Sequence, residues 1–206
     1  MDVLQENVLR EIAAQGNVHT FPANTVFISE GDRTNSLYII ISGRVKVFST
    51  TADGKTIVFG THGPGEYVGE LALDGSPRAA SASTLEKTAC SIVDGRSLRQ
   101  FIVEHPDFAT HFIHKLIRKV RVTSEKVKTL ALMDAYGRVA KLLLEAADER
   151  DGHLVVREKL THQEIADRIG CSREMVSRIL RALTHDGYIA KTQGRLVVNR
   201  KPPANW

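Results

Sequence analysis

The sequence predicts an α+β chain in three parts: a jelly-roll-like β-roll, one long helix, and a pair of short helices followed by a small β wing. Three observations carry that reading. From Thr20 to about Val93 apolar residues alternate with polar ones, and turns interrupt them repeatedly. From Pro106 the period becomes helical and runs to Met133 without a glycine or a further proline. Between Thr161 and Ile189 two amphipathic stretches flank Gly170-Cys171-Ser172.

A short helix over Val3–Gln15 is expected first. The roll then reads as TVFISEGD, SLYIIISGRVKVFST, KTIVFGTHGPGEYVG and ACSIVD, punctuated by Glu30-Gly31-Asp32, Ser42-Gly43, Asp53-Gly54 and Pro64-Gly65. Asp53-Gly54, between VKVFSTTA and KTIVFG, is a hairpin signal because both residues tolerate the positive φ of a tight turn. Several short strands at this spacing make a sandwich or barrel-like roll.

The next stretch, FATHFIHKLIRKVRVTSEKVKTLALM, places Ile113, Ile117, Val120, Ser124, Val127 and Ala131 at a 4-3-4-3-4 spacing, the seam of a coiled coil. A second stripe, Phe112, Leu116 and Leu130, is expected against the roll. Five Lys/Arg between Lys115 and Lys126 argue against complete burial, so this is read as a dimerisation helix.

The third part begins as a helix, GRVAKLLLEAADE. Thr161 with Glu164 three residues on is a capping box, and Ser172 caps the following helix. Two short helices joined by a Gly-containing turn follow the helix-turn-helix plan. GYIAKTQGRLVVNR then reads as two strands about a Gln193-Gly194 turn, the wing of a winged helix.

Composition bounds the function. In 206 residues, 42% are apolar and 25% charged, ordinary for a soluble globular protein. No run of eighteen apolar residues occurs, and MDVLQENVLREIAAQ carries both charge signs without the apolar core of a leader, so a cytoplasmic protein without a membrane span is expected. Cys90 and Cys171 stand far apart, with no Cys/His cluster to hold a metal. The eight histidines make no Ser-His-Asp, paired-carboxylate or metal-ligand spacing, so no catalysis is expected. Net charge is −4 over residues 1–107, +5 over 108–133 and +3 over 134–206. A basic rear half points to nucleic acid.

On the second short helix Arg173, Glu174 and Arg178 share one side, while Val176, Ile179, Leu180 and Leu183 point away. Guanidinium forks match guanine O6 and N7, and a carboxylate accepts from the cytosine amino group. Behind a capped helix and before a wing, this is read as a DNA-reading helix rather than a solvated surface.

At these residues a resemblance is plain. THQEIADRIGCSREMVSRIL is similar to the helix-turn-helix of the cyclic-AMP receptor protein family, the catabolite activator and fumarate-nitrate regulator superfamily. VTSEKV with MDAYGRVAKLLL resembles that family's central helix and hinge, and GELALDGSPRAAS its phosphate-binding cassette. The resemblance implies a homodimeric transcription regulator with three parts: a cyclic-nucleotide-binding domain over 1–105, a dimerisation helix over 106–133, and a winged helix-turn-helix domain over 134–206. Arg173, Glu174 and Arg178 would read a TGTGA-like half-site of an inverted repeat in double-stranded DNA. Thr161, Gln163 and Ser172 would hold phosphates. RNA polymerase is implied as a partner, although Ala147–Leu154 is shorter than the activating loop of enteric relatives.

The same resemblance assigns the cassette. Arg78 is a fork for one phosphate. Gly69 and the backbone about Ala79 and Ala80 allow close approach of its oxygens. Glu70 is an acceptor for a ribose 2′-hydroxyl, Leu71 belongs to the Gly-Glu-Leu match, and Pro77 stiffens the turn. Thr123 and Ser124 match residues that reach the base, the second from the partner subunit. Two departures stand out: Lys119 where many members carry Arg, and Ala79 where enteric members carry Ser. Cyclic AMP is the effector this predicts, with cyclic GMP, cyclic di-GMP or no nucleotide as alternatives. The rival function is a cyclic-nucleotide-binding regulatory subunit of a protein partner, against which the basic helix and wing of the last third argue. The alternative for the cassette itself is a structural loop closed by a Glu70–Arg78 pair.

Overall fold

A computed structural model describes residues 3–150, 153–192 and 194–202. They divide into two compact units: the described residues up to 49 with 58–121, and 50–57 with the described residues from 122 onward.

Helix α1 (Val3–Ala14) leads into strand β1 (Asn17–Phe21), then β2 (Val26–Ile28), β3 (Leu37–Ser42), β4 (Val45–Thr50), β5 (Thr56–His62) and β6 (Tyr67–Val68), all in the first unit but for the residues of β4 and β5 within 50–57. A 3-10 helix over Glu70–Asp74 precedes β7 (Ser81–Thr84) and β8 (Thr88–Val93). The strands form two four-stranded sheets, ordered β1-β8-β3-β6 and β2-β7-β4-β5, with antiparallel register such as Ile39 opposite Ser91 and Val47 opposite Ala82. Alternation puts Ile28, Ile40, Val45, Val68, Ala82 and Cys90 in one core, as a half-buried strand pattern requires. Asp53-Gly54 does make the β4–β5 turn, where Gly54 has φ 82° and donates to Thr51.

Two short helical features of the roll went unassigned from sequence, as did β7. Helix α2 (Gly95–Glu104) is capped by Asp94, which accepts from the Arg96 and Ser97 amides. It buries Leu98 and Phe101 in a second core with Leu9, Ile12, Leu37 and Phe108. Each such fully buried side chain contributes roughly 1.5–3 kcal/mol. The other feature is the 3-10 helix, in the stretch read as loop.

Helix α3 is unbroken from Pro106 to Leu132. Phe112 on its roll-facing side stacks on Tyr67, 5.5 Å between centroids and 6° between planes. Leu130, expected in the same stripe, instead lies by the Gly170 turn: a Cβ added there would be 3.5 Å from its Cδ2.

The second unit holds helix α4 (Ala135–Glu145), strands β9 (Ala147–Arg150) and β10 (His153–Val156), helices α5 (His162–Ile169) and α6 (Arg173–His185), and strands β11 (Ile189–Thr192) and β12 (Arg195–Val198). GRVAKLLLEAADE is therefore not helical to its end: α4 stops at Glu145, and Ala147, Asp148 and Glu149 pair with Val156, Val155 and Leu154. The wing strands join that hairpin in one four-stranded sheet, β11-β12-β10-β9. Of the expected Gln193-Gly194 turn, Gln193 lies outside the described residues; Gly194 has φ 77°. Val139, Leu143, Val156, Ile165, Val176 and Leu183, each with no exposed surface, centre the core. No helix among the described residues is long and apolar enough to cross a membrane.

Candidate functional site

In the first unit β6 ends at Val68, and the next residues line an open cleft of about 370 Å3. Ile28, Val47, Val68, Ala72 and Ala82 give it an apolar floor. Gly69, Glu70, Leu71, Arg78, Ala79, Ala80 and the Lys119 side chain from α3 complete its wall.

Gly69 turns the chain at φ 94°, a region that L side chains avoid. A Cβ there would lie 2.7 Å from Arg78 Nη1 and 2.9 Å from the Ser36 carbonyl oxygen. That crowding is deliberate packing around the guanidinium. Arg78, 3% exposed, donates from Nη1 to the Gly69 carbonyl (2.8 Å), from Nη2 to the Ser36 carbonyl (2.9 Å) and from Nε to the Thr34 hydroxyl (2.8 Å). Burial pulls its pKa below the ordinary value, opposed by Tyr38, Asp32 and Glu70. The buried Glu70 carboxylate does not close on Arg78; it pairs with the Lys119 ammonium. The reading of the cassette as a loop tied by a Glu70–Arg78 bond therefore fails at its central bond. Leu71 and Ala79 are exposed at the rim.

One helical turn before Lys119, the Lys115 ammonium sits 3.4 Å from the Tyr67 ring centroid. Burial pushes its pKa down to about 8, against the pull of Glu66 and Glu70. Thr123 and Ser124 are exposed and belong to the second unit. Along α3 the predicted seam stays open in one chain: Ile113 is 55% exposed, Ile117 47%, Val120 65% and Val127 59%, with Ser124 and Ala131 exposed beside them. An apolar row of that length facing water marks an interaction surface.

In the second unit Thr161 accepts from the Glu164 amide and Glu164 from the Thr161 amide, completing the capping box. Gly170 ends α5 at φ 66°, and Ser172 caps α6 by accepting from Met175. With Val176, Ile179, Leu180 and Leu183 buried, Arg173, Glu174 and Arg178 are exposed together on the opposite side of α6. Gln163 is exposed at the start of α5, its amide bonded to Asp167 at 2.6 Å.

Known proteins match both halves. The model of the cyclic nucleotide-binding domain matches residues 18–105, and that of the Crp-like helix-turn-helix domain residues 137–202. The cAMP-activated global transcriptional regulator CRP of Salmonella typhimurium is 34% identical over 187 residues, 88% of this chain and 89% of that one. A CRP-like cAMP-activated global transcriptional regulator of Mycobacterium tuberculosis is 35% identical over 183 residues, 86% and 81% of the two chains. The chain belongs to the CRP family. It is a cyclic-nucleotide-responsive, DNA-binding transcription regulator of that family. The CRP fold also appears in the c-di-GMP responsive global regulator CLP of Xanthomonas campestris, with TM-score 0.81, 24% identity and coverage of 93% and 98%.

Within this CRP-family cleft, sequence reasoning missed Thr34 and Ser36, which lie 44 and 42 residues from the arginine they hold. Nothing local marks them. It also missed His162, whose Nδ1 lies 2.8 Å from Ser177 Oγ and ties α5 to α6. Its place between Thr161 and Gln163 was a signal that could have found it.

Proposed function

We propose that this chain is a homodimeric regulator whose roll takes cyclic AMP and whose paired α6 helices read a TGTGA-like inverted repeat. The observation that carries the effector reading is the Arg78 guanidinium, held among apolar walls beside a glycine that leaves room for nothing larger. A guanidinium has five N–H donors. Three serve the protein, which leaves one on each terminal nitrogen for one phosphate. One such fork suits a cyclic mononucleotide, whereas a cyclic dinucleotide brings two phosphates. Glu70, already poised by Lys119, would accept from the ribose 2′-hydroxyl. Gly69, Leu71, Ala79 and Ala80 would close on the phosphate and sugar, and Thr123 with the partner subunit's Ser124 would meet the base.

The open seam of Ile113, Ile117, Val120, Ser124, Val127 and Ala131 supports pairing of two α3 helices. Two recognition helices would then face half-sites about one DNA turn, ~34 Å, apart. Arg173, Glu174 and Arg178 would contact bases, and Thr161, Gln163 and Ser172 phosphates. The segments 1–105, 106–133 and 134–206 are the functional divisions of this reading, with RNA polymerase the protein partner and the cytoplasm the place of action. The effector acts by its differential affinity for two arrangements of the dimer, a coupling of about 1–3 kcal/mol.

The test is a fluorescence-anisotropy series on a palindromic TGTGA operator without nucleotide and with cyclic AMP, cyclic GMP or cyclic di-GMP, at two salt concentrations. Tightening by cyclic AMP alone is expected. Equal affinity for a scrambled duplex under every condition would sink the proposal.

A further inference from the structure

The segment from Gly31 to Ser36 is wrapped around Arg78. The Gly31 amide donates to the Arg78 carbonyl and the Arg78 amide to the Asp32 carbonyl, each at 2.9 Å. Thr34 takes Nε–H and the Ser36 carbonyl takes Nη2–H. The segment is anchored at its far end: Asn35 packs so tightly on α2 that a Cβ at Gly95 would lie 2.8 Å from its side chain. Tyr38, two residues beyond, holds its ring 5.9 Å from the guanidinium carbon.

Of the three acceptors on the guanidinium, the two carbonyls are backbone and would be present with any sequence. The Thr34 hydroxyl is the only one a side chain provides. Its bond to Nε acts directly on the torsion about Cδ–Nε, which turns the rigid guanidinium, and completes the hold that the two carbonyls exert on Nη1 and Nη2. With Nε–H fixed, the remaining N–H on each terminal nitrogen has one direction. Thr34 is itself exposed, so it contributes little to the core, and its bond to Arg78 is its visible task.

We infer that Thr34 is a positioning residue of the effector site, setting the plane in which Arg78 meets the phosphate of a cyclic nucleotide. The inference rests on the effector reading above and adds to it a residue outside the cassette. Without the hydroxyl, Arg78 keeps its charge but loses its alignment, and affinity falls while fold and dimer persist. Removing a hydrogen bond to a charged group on this scale corresponds to about a tenfold loss, or ~1.4 kcal/mol.

The experiment compares the full chain with Thr34→Val, which keeps the shape, and Thr34→Ser, which keeps the hydroxyl. Cyclic AMP is titrated calorimetrically into each. In the nucleotide-free proteins the Arg78 Nε–H resonance, assigned by its loss in Arg78→Lys, is followed by NMR. The expected result is about tenfold weaker binding and a faster-exchanging Nε–H in Thr34→Val, with both near wild type in Thr34→Ser. Wild-type affinity in Thr34→Val, an unchanged Nε–H there, or a Thr34→Ser as weak as Thr34→Val overturns this inference alone. A wild-type chain that binds no cyclic nucleotide overturns the effector reading and the role of Thr34 with it.

Discussion

Replacing Gly69 with alanine separates what the backbone needs from what the guanidinium needs. At φ 94° an L residue carries a conformational cost of about 1–2 kcal/mol. The added methyl would also stand 2.7 Å from Arg78 Nη1, 2.9 Å from Ser36 O and 3.4 Å from Ile28 Cδ1. Ser36 O is backbone, and Arg78 is pinned by three acceptors, so the guanidinium must give up at least its bond to the Gly69 carbonyl. A hydrogen bond to a charged group is worth about 1.5–3 kcal/mol, which brings the total to about 3 kcal/mol or more. Gly75 is the control. Its φ is 90°, yet nothing lies within 4 Å of a Cβ there, so Gly75→Ala carries the backbone cost alone. Urea unfolding followed by circular dichroism, with cyclic AMP calorimetry on the same samples, reads both quantities. Gly69→Ala should lose clearly more stability than Gly75→Ala and most of its nucleotide affinity, while Gly75→Ala keeps its affinity. Equal stability losses, with nucleotide binding intact in both, would refute the reasoning.

Arg178→Ala should weaken operator binding by about 1–3 kcal/mol and relax base choice at one position of each half-site; a gel-shift titration with unchanged selectivity would remove Arg178 from the reading set. Val120→Glu with Val127→Glu puts charge into the α3 seam and should shift the chain to monomer in sedimentation, so a persisting dimer would move the interface elsewhere. Lys115 provides a pH signature. Its folded pKa, about 8, lies below the ordinary 10.5, so between those values the unfolded chain holds the proton more often. Stability from this group therefore rises with pH across that window. Lys115→Met should flatten the rise, and identical pH profiles would show that the ammonium is not buried as described.

What could be read in advance was what depends on neighbours in sequence. Thr161 and Glu164, Ser172, and Asp53-Gly54 act within four residues, and their caps and turn form as the residue types require. The α3 period was long enough to speak for itself. Errors arose where tertiary pairing overrode local preference. Ala147, Asp148 and Glu149 suit a helix, but β10 offers them a strand partner. Helix α2 is only ten residues, too short for its period to stand out, although Asp94 was an available cap signal. In the cleft, the residue types on the Gly-Glu-Leu and Arg-Ala-Ala runs were legible. Thr34 and Ser36 as partners of Arg78, and Lys119 as the partner of Glu70, were not, since they lie 42 to 49 residues away and only the folded roll brings them near.

Lys119, the partner of Glu70, and Val120, an exposed member of the apolar row, are consecutive residues on one helix. They point roughly 100° apart around its axis, and a hydrogen-bonded cylinder turns as a piece. A roll of about 20° that freed or tightened the lysine would carry the valine side chain, some 5 Å from the axis, through an arc of about 2 Å. Such a displacement is comparable to the depth of a knob in its hole. On the proposed pairing of two such helices, a change of occupant at the carboxylate would thus become a change of mesh along the helix, with no loop in between to absorb it.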